Sequence, residues 1–214
     1  RDFCLSRGLG DVYKRQASTH VEAADAFLIA VPTPFKGEHE PDLSYIESAV
    51  SSIAPVLQPG NIVILESTSP AGTTRKIAEW LAQARPDLTF PHDHESPDVF
   101  VAHCPERVLP GRIMIEMVSN DRVVGGISSH CAQKAAEIYR IFCQGEILLT
   151  DATSAEMAKL TENAFRDVNI AFANELAEIC RHIGVDVWEV IRLANRHPRV
   201  NIPVSYTHLR AHET

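Results

Sequence analysis

Apolar positions along the chain fall into two kinds of pattern. Short unbroken runs are the first: Asp25–Val31 reads Asp-Ala-Phe-Leu-Ile-Ala-Val and stops at Pro32, and residues 61–65 read Asn-Ile-Val-Ile-Leu. Continuous apolar character over so few residues suits parallel strands buried on both faces. Val99–Ala102, Val123–Val124 and Ile147–Leu149 predict three further strands. Between them the period changes. Leu43, Ile46, Val50, Ile53 and Leu57 recur at helical spacing ahead of Pro59-Gly60, which predicts a helix over residues 42–57. Thr73–Ala84 predicts a second helix, closed by Pro86, and residues 129–142 a third. Residues 86–98, rich in Pro and His, predict a surface loop.

Strands that alternate with helices imply right-handed crossovers and a parallel sheet. From Ser154 the pattern is different. Residues 154–183 contain neither Gly nor Pro and predict one long helix stopped by Gly184, with a second helix over 186–195. Leu160, Ala164, Val168, Ala171 and Phe172 are expected to supply its packing face. The expected fold is α/β, a truncated Rossmann-like parallel sheet followed by a long-helix domain suited to dimerisation.

The two ends stand apart. Asp11–Gln16 can be encoded by GATGTGTATAAGAGACAG, and Val204–His208 by GTCTCTTATACACAT, the reverse complement of a stretch inside the first. Residues 1–16 and 203–214 therefore read as translated library adapter. Residues 17–150 are expected to form a partial dinucleotide-binding domain, and residues 151–202 a central helical substrate and dimerisation domain. With the ends set aside, 15 basic residues face 25 acidic ones, a net charge of about −10 rather than −8. So acidic a chain lacks the clustered cations that a nucleic-acid backbone demands. No apolar run approaches a membrane span. Cys104, Cys131, Cys143 and Cys180 form no CxxC pair or zinc spacing, and read as reduced, buried thiols of a cytoplasmic protein.

Candidate chemistry gathers after strands. Val31-Pro32-Thr33-Pro34 holds the Thr33 hydroxyl on a rigid loop, or is an ordinary turn. Ligands of open α/β sheets bind outside the carboxyl ends of the strands. Glu66–Thr74 follows a strand and opens a helix, where free N–H groups and hydroxyls suit a polar or anionic ligand; plain N-capping is the alternative. Cys104–Arg112 places Glu106 at a third strand end, as a base or water-orienting carboxylate, and Arg107 beside it for a phosphate. Lys159, Asn163 and Arg166 share one face of the long helix. His197-Pro198-Arg199 ends a helix or clamps a phosphate. His92-Asp93-His94-Glu95 has metal-binding side chains but no organised second half, and is read as a solvated loop.

Taken in order, the VPTP loop, the STSPAGTT segment, the Pro-Glu loop and the Lys-x-x-x-Asn helix resemble the UDP-glucose/GDP-mannose dehydrogenase family. Cys104–Gly111, Lys159–Ile170 and Asn195–Ile202 resemble the branch acting on UDP-N-acetylmannosamine. Pro110 stands where many relatives with another sugar carry a Glu. The resemblance implies oxidation of the sugar C6 alcohol to a carboxylate by two NAD+, in surface polysaccharide synthesis. It places Thr33 and Thr68 at NAD, and Glu106 between cofactor and substrate. Arg107, Val108 and Leu109 hold the nucleotide sugar, Lys159 acts as a cation near C6, and Asn163 assists it. Arg166, His197 and Arg199 contact the UDP-sugar, with the long helix joining a homodimer or larger homo-oligomer. No Gly-rich dinucleotide fingerprint precedes Asp25, and the family's nucleophilic cysteine belongs downstream of Ile202. The chain is therefore expected to be an internal fragment, inactive as written, with no nucleophile of its own. The rivals are another nucleotide-sugar 6-dehydrogenase, for UDP-N-acetylglucosamine or UDP-glucose, and a non-catalytic nucleotide-binding or dimerisation module.

Overall fold

The structure, a computed structural model, describes residues 18–38, 40–108 and 111–203. Leu109, Pro110 and the adapter-like ends other than Pro203 lie outside them. Five strands form one sheet in the order β1-β4-β5-β6-β7, with β1 Ala26–Ile29, β4 Ile62–Leu65, β5 Phe100–His103, β6 Arg122–Gly126 and β7 Ile147–Asp151. Two short strands, β2 Phe35–Lys36 and β3 Glu40–Pro41, pair as a separate antiparallel ribbon. The connecting helices are α1 Ser44–Ile53, running into a 3-10 turn at Ala54–Val56, α2 Thr73–Ala84, α3 Ile113–Ser119 and α4 Ser129–Tyr139. After β7 come α5 Ala152–Ile183 and α6 Val187–Ala194.

The apolar runs build two cores because successive strand residues face opposite sides. Phe27, Ile29, Val63, Leu65 and Val101 pack with Ile46, Val50 and Ile53 of α1 and Ile77 and Leu81 of α2. Ile62, Ile64, Ala102 and Val124 pack on the other face with Ala135 and Tyr139 of α4. β1 is an edge strand, and Leu28 on it is 45% exposed. The expectation that this run is buried on both faces is corrected: the second core does not extend to Leu28.

A second correction concerns direction. The sheet is mixed: β5 and β6 are antiparallel, while β1–β4, β4–β5 and β6–β7 are parallel. Among the described residues the segment between β5 and β6 holds one short helix, α3, which the sequence pattern did not reveal. The chain stays at the carboxyl edge of β5 instead of crossing over, so β6 returns antiparallel and starts with Arg122 at that edge.

The chain packs as two units that divide between Leu160 and Thr161. In the second, Ala173, Ile191 and Ile202 form a small core with Leu176, Val187 and Ala194. The packing face expected for the long helix is corrected too, because Ala164, Val168, Ala171 and Phe172 are exposed. Within this unit α6 covers the Ala173–Leu176 side of the helix, which leaves an apolar stripe on which Phe165 is 71% exposed. Cys104, Cys131 and Cys180 are buried free thiols, and Cys143 is a half-buried one.

Candidate active site

Ile29 of β1, Leu65 of β4 and His103 of β5 lie in one register row, so three of the sequence motifs leave the sheet at the same edge. The first two loops are laced together. Ser67 Oγ accepts from the Val31 N–H and donates to the Val31 carbonyl, both at 2.8 Å. Thr33 Oγ1 donates to the Thr68 carbonyl at 2.7 Å. Beside them is a cavity of about 320 Å³ lined by Thr33, Phe35, Thr68, Ser69, Pro70 and Leu160. Ser69 is 3% exposed and its hydroxyl has no hydrogen-bond partner among the described residues, so an unclaimed buried polar atom borders this cavity. That volume suits one half of a dinucleotide, and unsatisfied buried hydroxyls are uncommon unless a ligand or water completes them.

The start of α2 differs from expectation. Its N–H groups are not free for a ligand, because the Glu156 carboxylate of α5 takes them. Oε2 accepts from the Gly72 N–H at 2.6 Å, and Oε1 accepts from the Thr74 N–H at 2.7 Å and the Thr74 hydroxyl at 2.6 Å. Gly72, the N-cap residue at φ 91°, carries no side chain to do this itself.

At the third strand end, Glu106 Oε1 accepts from the Arg107 N–H at 2.7 Å, and Oε2 lies 3.5 Å from a guanidinium nitrogen of Arg122. Arg122 is buried, donates to the Met117 carbonyl at 3.2 Å, and stacks 5.0 Å over the Tyr139 ring and 5.5 Å over Phe142. The Tyr139 hydroxyl donates to Glu66 at 2.6 Å. Burial raises the Glu66 pKa, against the Tyr139 hydrogen bond; the charge of Glu106 raises it further and Arg122 opposes. Burial pushes the Cys104 thiol up to about 11, which keeps it protonated and unreactive. Arg107 donates to the Asp121 carbonyl at 3.4 Å, Val108 is half-buried, and Leu109 lies outside the described residues.

Lys159 is half-buried, three residues beyond Glu156. In the second unit, Arg166 donates to Asn163 Oδ1 at 3.0 Å, and the Arg199 N–H donates to His197 Nδ1 at 3.3 Å. The turn that carries His197 and Arg199 is closed by Asn195, whose side chain exchanges two hydrogen bonds with the Ile202 backbone at 2.7 and 3.0 Å. Ser67, Arg122, Tyr139, Glu156 and Asn195 were not singled out from sequence. Only Asn195 and Ser67 offered a signal, as polar residues inside motifs already marked.

Three strand-end loops and the first turns of α5 with Lys159 lie in one α/β unit, the arrangement in which open α/β sheets hold ligands. Residues 11–143 match the NAD binding domain of the UDP-glucose/GDP-mannose dehydrogenase family, and residues 153–210 match its central domain. The chain belongs to that family. It is 64% identical over 191 residues to the UDP-N-acetyl-D-mannosamine dehydrogenase of Escherichia coli (strain K12), covering 89% of this chain and 45% of that protein. It is 61% identical over 202 residues to the NDP-N-acetyl-D-galactosaminuronic acid dehydrogenase of Ralstonia nicotianae, covering 94% and 48%. Among solved structures, the UDP-D-ManNAc dehydrogenase of Pyrococcus horikoshii superposes with a TM-score of 0.79 at 49% identity, covering 86% of this chain and 42% of that one. The chain thus spans about half the length of the curated relatives it matches.

Proposed function

We propose that the protein to which this chain belongs oxidises the C6 alcohol of UDP-N-acetyl-D-mannosamine to the carboxylate. The alcohol, water and two NAD+ give the uronate, two NADH and three protons. The observation that carries this reading is the register row Ile29–Leu65–His103, which delivers the family's three strand-end motifs to one edge. The 64% identity to a UDP-N-acetyl-D-mannosamine dehydrogenase supports the sugar. We assign residues 17–150 to NAD binding and 151–202 to substrate binding and dimerisation. The free thiols of Cys104, Cys131, Cys143 and Cys180 support a cytoplasmic setting, and no helix among the described residues is long and apolar enough to cross a membrane.

NAD+, when bound, supplies the hydride acceptor. Thr33 and Thr68 border its site, and the bond between them fixes the two loops before it arrives. The Glu106 carboxylate, held between the Arg107 N–H and Arg122, positions the reacting group or water. Its loop neighbours Arg107, Val108 and Leu109 hold the nucleotide sugar. Lys159 provides fixed positive charge where the C6 oxygen becomes anionic, and Asn163 supports it. Arg166, His197 and Arg199 are assigned to the UDP-sugar on the family motif.

The test uses the enzyme completed to the length of its relatives and follows NADH formation. UDP-N-acetylmannosamine should be turned over with higher kcat/KM than UDP-N-acetylglucosamine or UDP-glucose. Lys159→Ala should lower kcat by about 100-fold or more, the scale for losing one preorganised charge-stabilising donor. Turnover unchanged in that variant removes Lys159 from the mechanism.

A further inference from the structure

Two contacts fasten the first turns of α5 within its unit. One is steric. A Cβ on Gly125 would lie 2.6 Å from the Ala155 Cβ and 2.8 Å from the Ala152 Cα, so the helix rests against bare backbone of β6. The other is the Glu156 carboxylate, 1% exposed, with both oxygens on the start of α2. The opening N–H groups of a helix have no acceptor within the helix and carry partial positive charge, so a carboxylate is favoured there. Such caps are ordinarily local. Here Ser67, Thr68 and Ser69 precede the helix, yet no side chain of that segment caps it, and the acceptor comes from 82 to 84 residues away. Burying a carboxylate for this purpose is costly, and what it joins is informative.

On one side of the carboxylate is the Thr68–Gly72 segment, which walls the cavity through Thr68, Ser69 and Pro70. On the other is the helix turn that carries Lys159 and Leu160, and Leu160 walls the same cavity. Lys159 follows Glu156 by three residues, on the same helix face and roughly 4.5 Å along the axis. We propose that Glu156 is a positioning residue that sets the spacing between the cofactor-side loop at Thr68 and Lys159, and that it acts on turnover through Lys159. This rests on the reading of Lys159 given above. A glutamine here keeps the shape, but it loses the charge and turns an amide N–H toward a backbone or hydroxyl donor. A displacement of about 1 Å in a positioned group costs on the order of 100-fold in rate.

The experiment combines two measurements. In the 214-residue chain, hydrogen exchange at the Gly72 and Thr74 amides reports the clamp, since Glu156 is the acceptor of both among the described residues. In the completed enzyme, kcat and both KM values are measured for Glu156→Gln, Lys159→Ala and the double variant. Glu156→Gln should speed exchange at both amides and lower kcat about 100-fold with little change in either KM. The double variant should be no slower than Lys159→Ala alone. Faster exchange with unchanged kcat, or a double variant that multiplies the two losses, overturns the proposal and leaves Glu156 a helix cap. Full turnover in Lys159→Ala refutes the assignment of Lys159 itself, and this inference with it. Loss in Lys159→Ala with none in Glu156→Gln refutes this inference alone. If Glu156→Gln fails to fold, Glu156→Asp, which keeps the charge but withdraws it by one methylene, takes its place in the same comparison.

Discussion

His103 offers a sharp test of how the sheet interior shapes charge. Its side chain is fully buried at the end of β5, with Leu65 beside it on β4 and Gly125 opposite on β6. Neither ring nitrogen has a hydrogen-bond partner among the described residues. Burial pushes its pKa from 6.5 down to about 4, against an opposing contribution from the Leu65 backbone. Between those two values the unfolded chain binds a proton that the folded chain refuses, so stability rises with pH through the window. It is fully present above pH 6.5 and is lost as the pH falls toward 4. A gap of about 2.5 between the two pKa values corresponds to about 3 kcal/mol over the whole window, and to about 2 kcal/mol between pH 7 and pH 4.5. Replacing the ring with an apolar side chain removes this term and also removes two unsatisfied buried nitrogens. His103→Leu should therefore stay within about 1 kcal/mol of the parent at pH 7 and be about 2 kcal/mol more stable than it at pH 4.5. The assay is urea unfolding followed by Trp80, which packs against the core beneath α2, in a Trp188→Phe background so that the second unit is silent. Equal loss of stability on acidification in both proteins would refute the reasoning and place the acid sensitivity elsewhere.

Two further outcomes follow from the geometry. Tyr139→Phe leaves the half-buried Glu66 carboxylate without its hydroxyl donor, and should cost about 1.5–3 kcal/mol at neutral pH. Losing that donor raises the Glu66 pKa further, so the deficit should shrink as acid protonates Glu66; urea midpoints at pH 7 and pH 5 check the sign. If the proposed dimerisation uses the exposed stripe of α5, Phe165→Ser with Val168→Ser should weaken self-association at least about 100-fold, given about 1.5–3 kcal/mol for each apolar side chain buried. Sedimentation over a concentration series reads this, and an unchanged mass refutes the assignment.

How far the sequence could be read depends on how local each feature is. Residues 62–65 are apolar without a break and are bounded by Pro59-Gly60 before and Ser67–Pro70 after, so β4 and the loop beyond it were visible without the fold. Thr73–Ala84 was likewise bounded by a glycine and a proline, and its ends are those of α2. Val123-Val124 predicts a strand but reads the same in either direction, so nothing in it marked β6 as antiparallel. Arg122 consequently gave no hint that it would meet Glu106. The loops of the candidate site were legible because prolines and glycines punctuate strand ends. Their bracing was not, because Ser67 and Glu156 find their partners tens of residues away. Glu156 in particular sits in a run of good helix formers, where a charged residue is ordinarily a solvated one.

The remote origin of the α2 cap also has a consequence during synthesis. Gly72 and Thr74 are translated 84 and 82 residues before Glu156. At the usual pace of about 5–20 residues per second, the nascent helix waits roughly 4–17 seconds for its acceptor. Over that interval α2 has its apolar face but no cap, while β5, β6 and β7 are still being made. Closing so long a loop belongs late in folding, so substitutions at Glu156 should act on the rate of unfolding more than on the rate of folding. A ribosome stalled between α4 and β7 would thus hold four of the sheet's five strands with α2 still uncapped.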